Sequence, residues 1–101
     1  MTGQVIMGQA ERAVVLGVLR RHLPPEVRVS VFGSRAGGTP KPWSDLDLAL
    51  DGPEPIELAT LAALAEAFAE SSLPWKVDLV DRRTVSDDFG AIIDAHAEPL
   101  L

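Results

Sequence analysis

Residues 27–51, VRVSVFGSRAGGTPKPWSDLDLALD, contain two alternating segments separated by a loop. Apolar and polar residues alternate over Val27–Phe32 and again over Leu46–Asp51, which predicts two half-buried strands. Glycine, proline and hydroxyl residues dominate residues 33–44, so this segment is expected to be a loop that can include a short helical turn after Ser34. The sequence therefore predicts a strand–loop–strand unit at the centre of the fold.

Helices and one more strand are predicted on either side of this unit. Apolar residues recur at helical spacing over 8–23 and 56–71, and residues 76–81 alternate as a third strand. A capping-box pattern at Thr84–Asp87 predicts a last helix that ends near His96, with Phe89, Ile92 and Ile93 facing inward. The order of elements predicts an α/β fold, a small mixed sheet flanked by helices.

The composition limits the classes of protein to which the chain can belong. Its 101 residues, 47% of them apolar, suit one domain over residues 1–101. There is no cysteine, and no apolar run approaches the length of a membrane span, so we expect no thiolate metal site and no membrane insertion. No secretory signal is recognised, and a cytoplasmic location is expected. The net charge of −6 argues against binding long nucleic acid, whereas a single nucleotide held through divalent cations is compatible with it.

Three aspartates are the candidate metal ligands. Asp45 and Asp47 are two residues apart, so their side chains leave the same face of the predicted sheet. Asp78 lies between apolar Val77 and Leu79, and a neighbouring strand could bring it to the first two. Carboxylate oxygens favour Mg²⁺ or Mn²⁺, and such cations would offset the repulsion among three negative charges. The alternative is that Asp45 and Asp47 only end a strand and face solvent.

The turn after the first strand is a candidate phosphate site. Gly33 allows close backbone approach to a ligand, and Ser34 offers a hydroxyl group and a backbone N–H. Arg35 has a guanidinium group that could bind phosphate oxygens in a bidentate manner. An ordinary polar turn is the alternative interpretation of these three residues.

The two motifs together resemble a known family. Gly33-Ser34, ten residues, and then Asp45-Leu46-Asp47 match the GS-x10-D-x-D signature of the minimal nucleotidyltransferases, relatives of the DNA polymerase beta fold. The stretches FGSRAG and WSDLDL resemble the MNT-domain antitoxins of HEPN/MNT toxin–antitoxin systems. The resemblance covers essentially the whole chain, because KVDL falls where that family has its third carboxylate.

The resemblance implies a function and a role for each matched residue. Gly33 and Ser34 would hold the triphosphate, Asp45 and Asp47 would bind the metal ions, and Asp78 would bind the catalytic metal and help deprotonate the attacking hydroxyl. The donor would be ATP, and the acceptor would be a tyrosine of a HEPN-domain RNase toxin, which AMP addition silences. Gly37 departs from the family pattern, which often has arginine there, so one contact to phosphate or to the partner is expected to be lost.

Two other functions remain compatible with the sequence. The chain could neutralise its partner by occlusion, with nucleotide as a structural ligand. It could also adenylylate a small hydroxylated molecule, although so short a chain would need to dimerise to form a full pocket. Whether it forms a homo- or hetero-oligomer is not determined by the residues.

Overall fold

The computed structural model describes residues 5–101, which form three α-helices, one 3₁₀ turn and four strands. The helices and the turn are α1 (Gln9–His22), the 3₁₀ turn (Gly33–Arg35), α2 (Leu58–Ala69) and α3 (Asp87–His96). The strands are β1 (Arg28–Phe32), β2 (Leu46–Asp51), β3 (Val77–Asp81) and β4 (Glu98–Pro99). Within this described part of the chain, no helix combines the length and apolarity needed to cross a membrane.

The four strands form one mixed sheet in the order β3-β2-β1-β4. Strand β1 pairs antiparallel with both β2 and β4, whereas β2 and β3 run parallel. The parallel pair needs a crossover connection, and α2 lies in it. The predicted α/β fold with a small mixed sheet is therefore confirmed.

The main core lies on one face of the sheet, beneath α1 and α2. Alternation along β2 sends Leu46, Leu48 and Leu50 to this face, and all three side chains are fully buried. Helix α2 adds Leu64 and Phe68 to the same cluster. Further members come from α1 and β1, namely Val15, Val18, Leu19, Val29 and Val31. Burial of this apolar surface provides the main stabilisation of the fold.

Helix α3 covers part of the opposite face. The rings of Phe32 and Phe89 meet edge to face with centroids 6.0 Å apart, and Ile93 is 1% exposed. Ile92 is 60% exposed, so the prediction that it faces inward was wrong. Residue 92 lies one position from the buried face of α3, about 100° around the helix axis from Ile93, which turns its side chain toward solvent.

Three local predictions differ from the structure. Ser86, not Thr84, caps α3, and its hydroxyl accepts a hydrogen bond from the Phe89 backbone N–H at 3.2 Å. Helix α2 begins at Leu58 rather than residue 56. Strand β4 was not predicted, because two residues cannot show an alternating pattern. Its pairing with β1 depends on contacts between distant parts of the chain.

Candidate active site

Two aspartates face each other across adjacent parallel strands at one edge of the sheet. Asp47 of β2 is the register partner of Asp78 of β3. Neighbouring strands lie about 4.8 Å apart, so register partners present their side chains side by side. Asp45 precedes β2, and the next residue, Leu46, donates its backbone N–H to the carbonyl of Lys76 at 2.9 Å. The register thus brings together the two strand segments that carry the three predicted carboxylates.

The three carboxylates interact electrostatically. The pKa of Asp47 is raised above its ordinary value, first because the side chain is partly buried and then because Asp78 and Asp45 are negatively charged neighbours. Asp78 forms an ion pair with Lys76, with Nζ and Oδ1 3.5 Å apart. The site therefore concentrates negative charge, which one nearby lysine offsets only in part.

The donor set suits a hard divalent cation. The candidate ligand atoms are all carboxylate oxygens, which Mg²⁺ and Mn²⁺ prefer. Within residues 5–101, however, no three acidic or histidine side chains are gathered closely enough to hold a metal ion as they stand. Mutual repulsion opposes such a cluster of ionised carboxylates, and the ion pair with Lys76 directs one oxygen of Asp78 elsewhere. The chemistry of the three carboxylates fits a hard divalent cation, whereas their spacing in this structure does not.

The turn after β1 packs directly against this acidic group. Gly33 has φ +75°, a left-handed conformation that favours glycine. A Cβ atom on Gly33 would overlap Oδ2 of Asp47 and lie 3.4 Å from its Cγ. Ser34 is exposed beside it, and its carbonyl accepts a hydrogen bond from the Gly38 N–H at 3.1 Å. The predicted phosphate-binding turn and the predicted metal ligands thus lie next to each other.

Gly37 also has a conformational reason for its identity. Its φ is +83°, so a side chain there would be strained. The arginine that the resemblance implies at this place would have to adopt this left-handed conformation or change the turn. The departure from the family pattern is therefore a feature of the local turn.

Arg35 occupies a position different from the predicted one. Its side chain is 5% exposed, and its guanidinium donates to backbone carbonyls, among them Ser44 at 2.9 Å and Ile6 at 3.0 Å. The guanidinium carbon lies 4.5 Å from the ring centroid of Trp75. The prediction that this guanidinium binds phosphate oxygens is not met by this arrangement, because its donors are directed to backbone carbonyls of the loop and of Ile6.

A cleft of about 390 Å³ opens beside the turn. It lies between the glycine-rich segment and α3, and its lining includes Gly33, Gly38, Ile92 and the exposed His96. A larger cavity of about 770 Å³ lies at the other end of β1, near Arg20, and contains none of the predicted site residues. The smaller cleft reaches the site through Gly33, and none of the three aspartates lines it; its size is within the range of small-molecule sites.

Comparison with known proteins agrees with this geometry. The sequence model of the nucleotidyltransferase domain family matches residues 13–98. The chain belongs to the nucleotidyltransferase domain family. It is similar to a protein of Haemophilus influenzae named probable protein adenylyltransferase MntA, with 44% identity over 85 residues, which are 84% of this chain and 75% of that protein.

Solved structures resemble this nucleotidyltransferase domain in fold as well. A crystal structure of a toxin–antitoxin with AMP-PNP has a TM-score of 0.74 and 27% identity, and the match covers 89% of this chain and 72% of that one. A tri-AMPylated Shewanella oneidensis HEPN toxin in complex with MNT antitoxin matches with a TM-score of 0.71 and 26% identity, over 94% of this chain and 72% of that one. The recognised resemblance to the MNT-domain antitoxins is thereby confirmed.

Two features of this nucleotidyltransferase site were missed from the sequence. Lys76 was not singled out, although its place two residues before Asp78 puts both side chains on one face of β3. The stacking of Arg35 on Trp75 joins residues 40 positions apart, and no local pattern signals it.

Proposed function

We propose that this chain is an antitoxin that transfers AMP from ATP to a tyrosine hydroxyl of a HEPN-domain RNase toxin. Membership of the nucleotidyltransferase family supports the reaction class. The relative named as a protein adenylyltransferase supports a protein acceptor. The similar complexes of HEPN toxin with MNT antitoxin, one of them tri-AMPylated, support the choice of partner.

The three aspartates would hold the divalent cation, Mg²⁺ or Mn²⁺. Asp47 and Asp78 face each other across β2 and β3, and Asp45 contributes to the same negative field. When bound, the cation would neutralise charge that builds up on the phosphates during transfer. Gly33 and Ser34 would hold the triphosphate through their backbone N–H groups and the serine hydroxyl, since the turn permits close approach.

The reaction would be an in-line displacement at the α-phosphorus. The acceptor oxygen forms a bond to the α-phosphorus, the bond from that phosphorus to the bridging oxygen breaks, and pyrophosphate leaves. The acceptor proton passes to a carboxylate oxygen of Asp78. Lys76, whose Nζ lies 3.5 Å from Oδ1 of Asp78 in an ion pair, would help to orient this carboxylate.

One observation supports this proposal above the others. Asp47 and Asp78 are register partners, and Gly33 packs so closely on Asp47 that a side chain at position 33 would displace the Asp47 carboxylate. This contact supports placing the proposed phosphate-binding turn and the pair of carboxylates in one site. A solvent-facing strand end would need neither the left-handed glycine nor the facing aspartates.

The test is transfer of label from ATP to the partner. The full chain, its HEPN partner, Mg²⁺ and ATP labelled at the α-phosphate are incubated together, and the partner's mass is measured intact. We expect label and one or more AMP additions on the partner, and no label from ATP labelled at the γ-phosphate. Asp47→Ala and Asp78→Ala should abolish the transfer.

Asp51→Ala is the matched control. Asp51 lies on the same face of β2 as Asp47, four residues further along the strand and away from the turn. Its loss should leave transfer nearly unchanged. Neutralisation of the toxin that persists in Asp47→Ala would instead indicate occlusion, and turnover of small hydroxylated acceptors without the partner would indicate a small-molecule enzyme.

A further inference from the structure

We propose that Arg35 is a positioning residue whose buried guanidinium holds the segments carrying the site aspartates in place around the Gly33 turn. This inference rests on the proposed function, because it concerns the same site. Arg35 was expected at the phosphates, yet its side chain is 5% exposed and points into the protein. Its contacts indicate what the guanidinium does there.

The first group of contacts reaches the loop before Asp45. Nε of Arg35 donates to the carbonyl of Ser44 at 2.9 Å, and Nη2 donates to the carbonyls of Lys41 at 3.4 Å and Pro42 at 3.3 Å. Ser44 directly precedes Asp45 in the chain. The guanidinium therefore fixes the backbone from which the first carboxylate of the D-x-D motif extends.

The second contact reaches the chain before Asp78. The guanidinium carbon lies 4.5 Å from the ring centroid of Trp75, which is 8% exposed. A cation over an aromatic face is most favourable when both are desolvated, as they are here. The next residue, Lys76, accepts the hydrogen bond that aligns β3 with β2. Arg35 thus packs against Trp75, two residues before β3, the strand that carries Asp78.

The third group of contacts reaches the segment before α1. Nη1 donates to the carbonyl of Ile6 at 3.0 Å, and the backbone N–H of Ile6 donates back to the carbonyl of Arg35 at 2.7 Å. Four carbonyls and one ring thus converge on a single side chain. Only the planar guanidinium offers donors in so many directions at once.

The choice of partners favours a role at the site over a role in general stability. Burying a cation carries a large desolvation penalty, which a nearby carboxylate would offset. In residues 5–101 the ion pairs are Lys76–Asp78 and Arg82–Asp94. Arg35 therefore has backbone carbonyls rather than a carboxylate as partners. An apolar side chain could fill the same volume without this desolvation penalty. What an apolar side chain could not do is tie the carbonyls before Asp45 to the turn.

The test compares Arg35→Lys with the matched control Arg12→Lys in the full chain. Arg12 also donates to a backbone carbonyl of the N-terminal segment, that of Val5 at 3.5 Å, but it does not contact the loop before Asp45. Three quantities are measured for each variant: the melting temperature without metal, the affinity for Mn²⁺ alone, and kcat and KM for AMP transfer.

We expect Arg35→Lys to weaken Mn²⁺ binding by about tenfold and to lower kcat by about 10- to 100-fold, since small misplacements of reacting groups have effects of this size. KM for ATP should change by a much smaller factor, and Arg12→Lys should resemble the wild type in Mn²⁺ affinity and kcat. Wild-type Mn²⁺ affinity and kcat in a folded Arg35→Lys variant would overturn the inference, as would equal losses in Arg12→Lys.

A second variant covers the case in which Arg35→Lys does not fold. Trp75→Phe keeps an aromatic ring but weakens the cation–π contact, and Trp43→Phe is its control because Trp43 is 69% exposed. We expect a smaller loss of Mn²⁺ affinity in Trp75→Phe alone, and no difference between the two variants would overturn the inference. If the wild type transfers no AMP to a HEPN partner, the proposed function fails, whereas weaker Mn²⁺ binding in Arg35→Lys would still support positioning.

Discussion

Replacement of Gly33 by alanine should damage the active site more than it damages the fold. Gly33 has φ +75°, and an added Cβ would overlap Oδ2 of Asp47. A left-handed conformation costs a residue with a side chain roughly 1–2 kcal/mol. The carboxylate can move away from the methyl group, so we expect a total loss of about 1–3 kcal/mol in the free energy of unfolding.

The larger effect should fall on catalysis. A displacement of Asp47 by about 1 Å would lower kcat by about 100-fold, because the geometry of the reacting groups is that sensitive. The melting temperature should fall by about 4–8 °C for each kcal/mol lost. The assay pairs thermal unfolding without metal with the rate of AMP transfer to the HEPN partner at saturating ATP.

Gly37→Ala separates the two contributions. Gly37 has φ +83° and so carries the same backbone penalty. A double-mutant cycle of Gly33→Ala with Asp47→Ala gives the contribution of the steric overlap to the free energy of unfolding, since the overlap disappears when the carboxylate is removed. If Gly33→Ala loses no more activity than Gly37→Ala, the proposed contact between the turn and Asp47 does not matter for transfer. The cycle is measured in the free energy of unfolding, and an absence of coupling there would show that the two residues do not meet.

Three further substitutions have expected outcomes. Because burial and negative neighbours raise the pKa of Asp47, the folded protein binds this proton more tightly than the unfolded chain, so this group lowers stability as pH rises above about 4. Metal-free Asp47→Asn should therefore melt higher than the wild type at neutral pH, with the difference vanishing in acid, and a lower melting temperature at neutral pH would contradict the electrostatic argument. Asp81→Asn should lose about 1–3 kcal/mol of stability with activity per folded molecule retained, because the buried carboxylate accepts the Ile56 N–H at 2.8 Å; denaturant titration measures it. Gly17→Ala should gain up to about 1 kcal/mol in the same titration, since Gly17 lies within α1 and an added Cβ meets nothing within 4 Å, and a loss would show that α1 is more tightly packed there than the structure indicates.

Part of the fold was predictable because it depends on local patterns. Alternation over Leu46–Asp51 predicted β2 with the bounds that the structure has. The boundaries of α1 and β1 agree to within a residue at each end. Each of these elements has one buried face, so its apolar residues recur in the sequence with a period of 2 residues in a strand or about 3.6 in a helix. Short elements lack this signal, which is why β4 was missed.

The candidate site also has features that follow from local sequence and one that depends on tertiary structure. Spacing alone placed Asp45 and Asp47 on one face of a strand, and the glycine-rich segment marked the turn before it. That Asp78 is the register partner of Asp47 depends on how β3 docks beside β2, across the whole of α2. Strand register is a tertiary property, because a shift by one residue would turn every side chain to the other face.

The direction of Arg35 is the clearest case of tertiary determination. Next to Gly33 and Ser34, an arginine suits a phosphate, and the local sequence contains nothing against that interpretation. The carbonyls and the ring that receive it come from residues before and after it in the chain, among them Ile6 and Trp75. A long side chain with several donors has many partners within reach, and only the packed fold selects among them. The sequence alone was enough to predict β1, β2 and β3 and the glycine-rich turn and to single out the acidic residues as candidates, whereas the tertiary structure determined which of these residues meet.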